Sequence, residues 1–159
     1  MTGTGGSAAA HGMVGPLLRE VLEGGAGQAV LRVTSGSMAP RLAEGDRIVV
    51  KAVSPRALAP GDVIVFESDS AGFVVHRLVW RDRPLGQPSR LYTRGDALGY
   101  FDHAVPMERV LGRVVSVERE GKRVRPTTLR DRARCILLAA RHGFRQGVRR
   151  ALAGRGGAG

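Results

Sequence analysis

The spacing of apolar residues changes twice along this chain, and the changes mark three regions. Val14, Leu17, Leu18, Val21 and Leu22 recur at helical spacing. Pro16 suits a first turn and Gly24 a stop, which predicts a short amphipathic helix over 14–24. From Gln28 the pattern becomes short runs rich in Val and Ile, bounded by Gly, Pro and Asp. QAVLRVT (28–34), DRIVVKAV (46–53), DVIVFES (62–68), GFVVHRLVWRD (72–82), RLYTRGD (90–96) and RVLGRVVSVERE (109–120) each read as a strand. EGD and APGD read as turns, and REGKR (119–123) as a hairpin turn. After Pro126 the period is helical again. Leu129, Ala133, Ile136, Leu137, Ala140, Phe144, Val148 and Leu152 fall on one broad stripe, flanked by Arg130, Arg134, Arg141 and Arg145.

Six or more short strands without alternating helices predict a mainly β fold. The expected architecture is a small barrel-like core, with a short N-terminal helix and a basic amphipathic C-terminal helix. The expected organisation is a disordered tail (1–12), a β domain (13–126), and a basic helix with a flexible tail (127–159). At 159 residues the chain is long enough for one domain with a real core.

Charge sharpens this division. Residues 119–159 hold 12 Lys and Arg against 2 Asp and Glu, so +10 of the +11 net charge lies there and +1 on everything before. A basic segment of this kind suits anionic lipid, nucleic acid or acidic protein. The expectation is contact of the 127–152 helix with an anionic membrane surface, and no specific nucleic acid. The rival reading packs the apolar stripe against the β core. No apolar run approaches the roughly 20 residues that span a bilayer, and no signal peptide is visible. The expected location is cytoplasmic or peripheral to a membrane. Cys135 is the only cysteine, which excludes an internal disulfide framework and a cysteine metal site. His11, His76, His103 and His142 have no ligand spacing. Neither metal nor cofactor is expected.

The stretch VTSGSMAPRL (33–42) carries the candidate chemistry. Ser37 sits directly after a strand, between a flexible Gly36 and a rigid Pro40. A serine hydroxyl needs a base, an oriented base needs a carboxylate, and the developing charge needs an oxyanion hole. His76 lies inside the apolar strand FVVHRLV, an unusual place for an imidazole unless it is a satisfied core histidine. Asp96 and Asp102 follow in TRGDALGYFDH, where either could instead cap a turn, Asp96 more readily than Asp102. His103 is a rival base in a polar loop. Lys51 and Lys122 are the only lysines, and neither sits where a serine–lysine dyad needs one. The strand before Ser37 suits β-augmentation by an extended peptide.

SGSMAPRLAEGDRIVV, LAPGDVIVFE, VVHRLV and YTRGDALGYFDHAVPMERVLGRVV together resemble, in order and spacing, the successive boxes of the type I signal peptidase family. The resemblance covers about residues 28–117. His76 stands where the common bacterial branch has lysine, so the chain resembles the serine–histidine branch of the endoplasmic reticulum and archaea. The resemblance implies Ser37 as nucleophile and His76 as general base. It implies Asp102 as the orienting acid, with Asp96 a second acid nearby. It also implies an oxyanion hole from the Ser35 hydroxyl and the Ser37 N–H, and a substrate site at Met38, Val33 and Thr34. Members usually carry a membrane anchor before the serine box; here that stretch is Gly-rich, then a short helix with Arg19, Glu20 and Glu23. The expected activity is endopeptidase cleavage of an extended leader or signal-like peptide after small residues. Two alternatives stand beside it: a non-catalytic peptide-binding module on the same fold, and a repressor-peptidase-like protein with nucleic-acid contact.

Overall fold

The computed structural model describes residues 17–22, 24, 27–69, 72–82, 86 and 88–153, with side chains in the last helix described up to Arg141. The expected tail over 1–12 lies outside them. Residues 17–22 form α1, inside the predicted helix. Eight strands follow: β1 (Gln28–Arg32), β2 (Arg47–Lys51), β3 (Val63–Ser68), β4 (Gly72–Asp82), β5 (Arg90–Arg94), β6 (Val105–Pro106), β7 (Val110–Arg119) and β8 (Lys122–Val124). The chain closes with α2 (Leu129–Ala153).

The strands form one antiparallel sheet in the order β1-β2-β7-β3-β4-β5-β6, with β8 paired to β7. The fold is therefore mainly β, as the short Val- and Ile-rich runs predict. The β7–β8 hairpin turns at Glu120 and Gly121, both at positive φ, where REGKR predicts a turn. The two-residue β6 carries no periodicity of its own and exists only through its pairing with β5.

One turn is used twice. Leu-Ala-Glu-Gly-Asp (42–46) leads into β2 and Leu-Ala-Pro-Gly-Asp (58–62) into β3. In each the glycine has a left-handed φ, 91° at Gly45 and 94° at Gly61, which favours a residue without Cβ. In each the aspartate carboxylate accepts the N–H of the alanine three residues back, at 2.8 Å from Ala43 and 3.0 Å from Ala59. Arg119 holds Asp46, and Arg132 and Arg113 hold Asp62.

Both faces of the sheet are apolar. Ile48, Val50, Val63, Val65, Val114 and Val117 pack with Leu18 and Leu22 of α1 and with Met38 and Leu42. Ile64, Phe66, Leu78, Leu91, Val105 and Val110 form a second cluster. β3 serves both because successive side chains alternate faces.

Helix α2 packs across β4. Its first turn is capped by Thr128, whose hydroxyl accepts the Asp131 N–H while the Asp131 carboxylate accepts the Thr128 N–H. Asp131 also pairs with Arg41 at 3.4 Å and Arg132 with Asp62 at 2.9 Å. Cys135 is buried, and burial pushes its thiol pKa up. The rival expectation, an apolar stripe packed on the β core, is not what the described part of α2 does. Leu129, Ala133, Ile136, Leu137 and Ala140 all face away from the body. The side chains of Phe144, Val148 and Leu152 lie outside the described residues.

Candidate active site

The segment 33–46 is held by its own backbone. Val33 N–H donates to the Asp46 carbonyl at 2.9 Å, Gly45 N–H to Val33 at 2.8 Å and Leu42 N–H to Met38 at 2.9 Å. Arg119 closes it from outside, donating to both Asp46 carboxylate oxygens and to the carbonyls of Pro40 and Arg41. The Arg119 hydrogen bonds, set against burial and helped by the Ala43 N–H, hold the Asp46 carboxyl below its usual range.

Gly36 does not play the part its flexibility suggested. Its φ is not left-handed, and a Cβ there would meet open space. The glycine that the serine turn requires is Gly95: a Cβ on it would come 2.6 Å from the Ser37 carbonyl oxygen. That same oxygen accepts the Ala97 N–H at 3.0 Å. The turn after β5 thus grips the backbone of Ser37 directly, and nothing in the local pattern around Gly95 announces a contact across 58 positions.

His76 is 6% exposed and points out of β4 toward Ser37. Its Nε2 lies 3.2 Å from Ser37 Oγ, and its Nδ1 lies 2.6 Å from Asp102 Oδ2. The serine–base separation is at the looser end of hydrogen-bond reach, as unliganded sites often are. An ionised carboxylate only accepts, so Nδ1 carries the proton and Nε2 presents its lone pair to the serine hydroxyl. Thr93, wholly buried on β5, donates its hydroxyl to the same Asp102 oxygen at 2.6 Å. The Asp102 N–H in turn donates to the Thr93 carbonyl at 2.9 Å. Thr93 is a site residue that sequence reading missed, because a threonine in a strand has an ordinary place there.

Asp96 does not join this group. Arg77 takes it in a bidentate pair, Nε to Oδ1 at 2.7 Å and Nη2 to Oδ2 at 2.6 Å. The guanidinium also donates to the Gly61 carbonyl, the Thr127 hydroxyl and the Pro126 carbonyl. Burial works to lower the Arg77 pKa, but the hydrogen bonds and charge of Asp96 outweigh it and the net shift is upward. The second acid is thus spent on a buried cation. The signal for this was present: an arginine beside His76 in an apolar strand requires a partner on the opposite face.

The remaining expected residues line one groove of about 650 Å³. Val33, Thr34, Ser35, Ser37 and Met38 form one wall, and Phe73, Val74, Val75 and His76 the other. Met38 is 1% exposed and contributes only its surface to the wall. Ser35 Oγ lies 3.4 Å from Ser37 Oγ. A second groove of about 550 Å³ adjoins the other side of His76, lined by Asp102, His103 and Tyr100 among others. His103 is exposed, and its neighbour Asp102 is turned to His76 instead. His11 lies outside the described residues, as does the side chain of His142. Lys51 and Lys122 are exposed and line neither groove. Among the described residues no group of His, Cys, Asp and Glu has the arrangement of a metal site.

A hydroxyl, an imidazole and a carboxylate in series on a β scaffold define the class of serine hydrolases. The family model Peptidase S24-like matches residues 3–84, and the chain belongs to that family of serine-peptidase-like proteins. The matched segment carries Ser37 and His76, while Asp102 lies beyond it. A comparison with curated proteins finds no match.

Proposed function

We propose that the chain is a serine endopeptidase of the signal peptidase type, cutting an extended leader or signal-like peptide after small residues. The observation that carries the reading is the Ser37–His76–Asp102 series, at 3.2 Å and 2.6 Å, opening onto a peptide-sized groove. The groove runs between two strand edges. Among the described residues, no strand pairs with the outer side of β1, or with the Gly72–His76 half of β4 on the side away from β3. An extended peptide can use both edges. Buried Met38 lines the groove beside Ser37, and alanine-sized side chains before the cut are what the resemblance to signal peptidases implies.

In this mechanism Ser37 Oγ attacks the scissile carbonyl carbon and its proton passes to His76 Nε2. Asp102 stabilises the imidazolium through Nδ1–H. The carbonyl oxygen, now negative, is met by the Ser37 N–H and the Ser35 hydroxyl. The C–N bond breaks, the amine leaves with the proton from Nε2, and an ester on Ser37 remains. Water then attacks the ester with Nε2 as base, releasing the carboxylate and restoring the hydroxyl. Co-expression with an Ala-x-Ala reporter, followed by N-terminal mass spectrometry, should show cleavage by the wild type and none by Ser37→Ala. Equal processing by both would remove the proposal.

The family match supports a second reading, a repressor-peptidase-like protein that cuts its own chain and contacts nucleic acid through its basic segment. The histidine base tells against it. Self-cleavage of the purified chain, together with DNA binding, would favour it over the first.

A further inference from the structure

The outward face of α2 has no part in the site just described. Leu129 is 86% exposed, Ile136 61% and Leu137 60%, the largest apolar exposures among the described side chains of this helix. Ala133 and Ala140 lie between them and are exposed too. At about 100° per residue these five positions occupy one stripe. Arg130, Arg134 and Arg141 run along one border of it, all exposed. The opposite side of the helix is fixed to the body by Asp131 with Arg41, Arg132 with Asp62, and buried Cys135. The stripe therefore has a fixed outward aim.

We infer that this face of α2 docks flat on an anionic lipid bilayer, with the stripe in the headgroup–acyl boundary and the arginines on the phosphates. Charge and shape select this occupant. Nucleic acid would engage the arginines and leave Ile136 and Leu137 in water. A second copy would bring together two segments that each carry +10 over residues 119–159. A lipid surface takes both halves of the face at once. The helix lies on the membrane and does not cross it, since among the described residues no helix is long and apolar enough to do so. At about 1.5 Å per residue, the 25 residues of Leu129–Ala153 would cover roughly 37 Å of surface.

The test is sedimentation of the full chain with vesicles, either pure phosphatidylcholine or containing about one third phosphatidylglycerol. Pelleting with the anionic vesicles should exceed that with neutral ones at least about tenfold, and about 0.5 M salt should reverse it. Because Ile136 and Leu137 are exposed and belong to neither core cluster, Ile136→Glu/Leu137→Glu should fold normally, checked by an unchanged melting temperature. It should lower the partition coefficient about a hundredfold. Arg130→Gln/Arg134→Gln/Arg141→Gln should lower it by a similar factor, about fivefold per arginine. Three results overturn the inference: no pelleting with anionic vesicles at low salt; pelleting unchanged by the glutamate pair, which would mark diffuse charge attraction; or no pelleting together with self-association that the glutamate pair abolishes.

Discussion

His76 and Arg77 are consecutive on β4, and each holds an aspartate from the segment after β5. Alternation along the strand sends them to opposite faces. On one face Asp102 meets an imidazole that can release and recover a proton. On the other Asp96 meets a guanidinium that stays charged at any physiological pH. Carboxylates of one loop thus have different uses, set by the partner across from each. The Arg77 side is still tied to the site: the turn carrying Asp96 contains Gly95 and Ala97, which contact the Ser37 carbonyl oxygen. A buried ion pair here is thus linked to the backbone position of Ser37.

This contrast can be broken most severely at Asp102. Asp102→Asn should lower kcat on a leader peptide about 10⁴-fold, because the amide favours the wrong imidazole tautomer. Urea unfolding should remain near wild type, and a large loss of stability instead would erase the distinction between the two faces. Asp96→Asn should do the reverse in kind. It strands Arg77 in the interior and should cost about 3–5 kcal/mol in urea unfolding. Arg77→Met/Asp96→Leu should regain most of that, and failure to do so would give the pair a role beyond charge balance.

Asp46 sharpens the structural half of the comparison, because its partner Arg119 is partly in solvent. Asp46→Asn should destabilise less than Asp96→Asn. The folded-state pKa of Asp46 is depressed, so its contribution is full above the unfolded carboxylate range, near pH 4. It is lost as pH falls through the folded value. Thermal melts of wild type and variant should therefore differ at neutral pH and converge in acid. The smallest effect is expected at Thr93→Val, which removes one hydrogen bond to Asp102 and should lower kcat about tenfold with KM unchanged.

The extended runs were legible because short consecutive runs of Val and Ile bounded by Gly, Pro and Asp have few other uses. β4 spans Gly72–Asp82 as its sequence predicts, and β3 and β7 differ from expectation by a residue at their ends. The serine and the histidine were legible as residue types whose chemistry needs one another, and the choice of Asp102 over Asp96 came from the family resemblance. Contacts made at a distance were not. Gly95 against Ser37 and Thr93 against Asp102 depend on register between strands, which no local pattern encodes. The direction of the α2 stripe was equally hidden. Periodicity finds an apolar face, and only the polar docking of Asp131 and Arg132 shows that this one looks outward.

The two strand edges beside the groove have a consequence for the timing of the chain's motions. A peptide seated there supplies hydrogen bonds that β1 and the first half of β4 lack on their own. Backbone amides of 28–32 and 72–76 that are not paired to β2 or β3 should exchange with solvent faster while the groove is empty. They should slow when a substrate-like peptide is held, and slow most when half of it is esterified to Ser37. Each turnover would then be a cycle of stiffening and release. The departing product would hand the groove back in its loosest state.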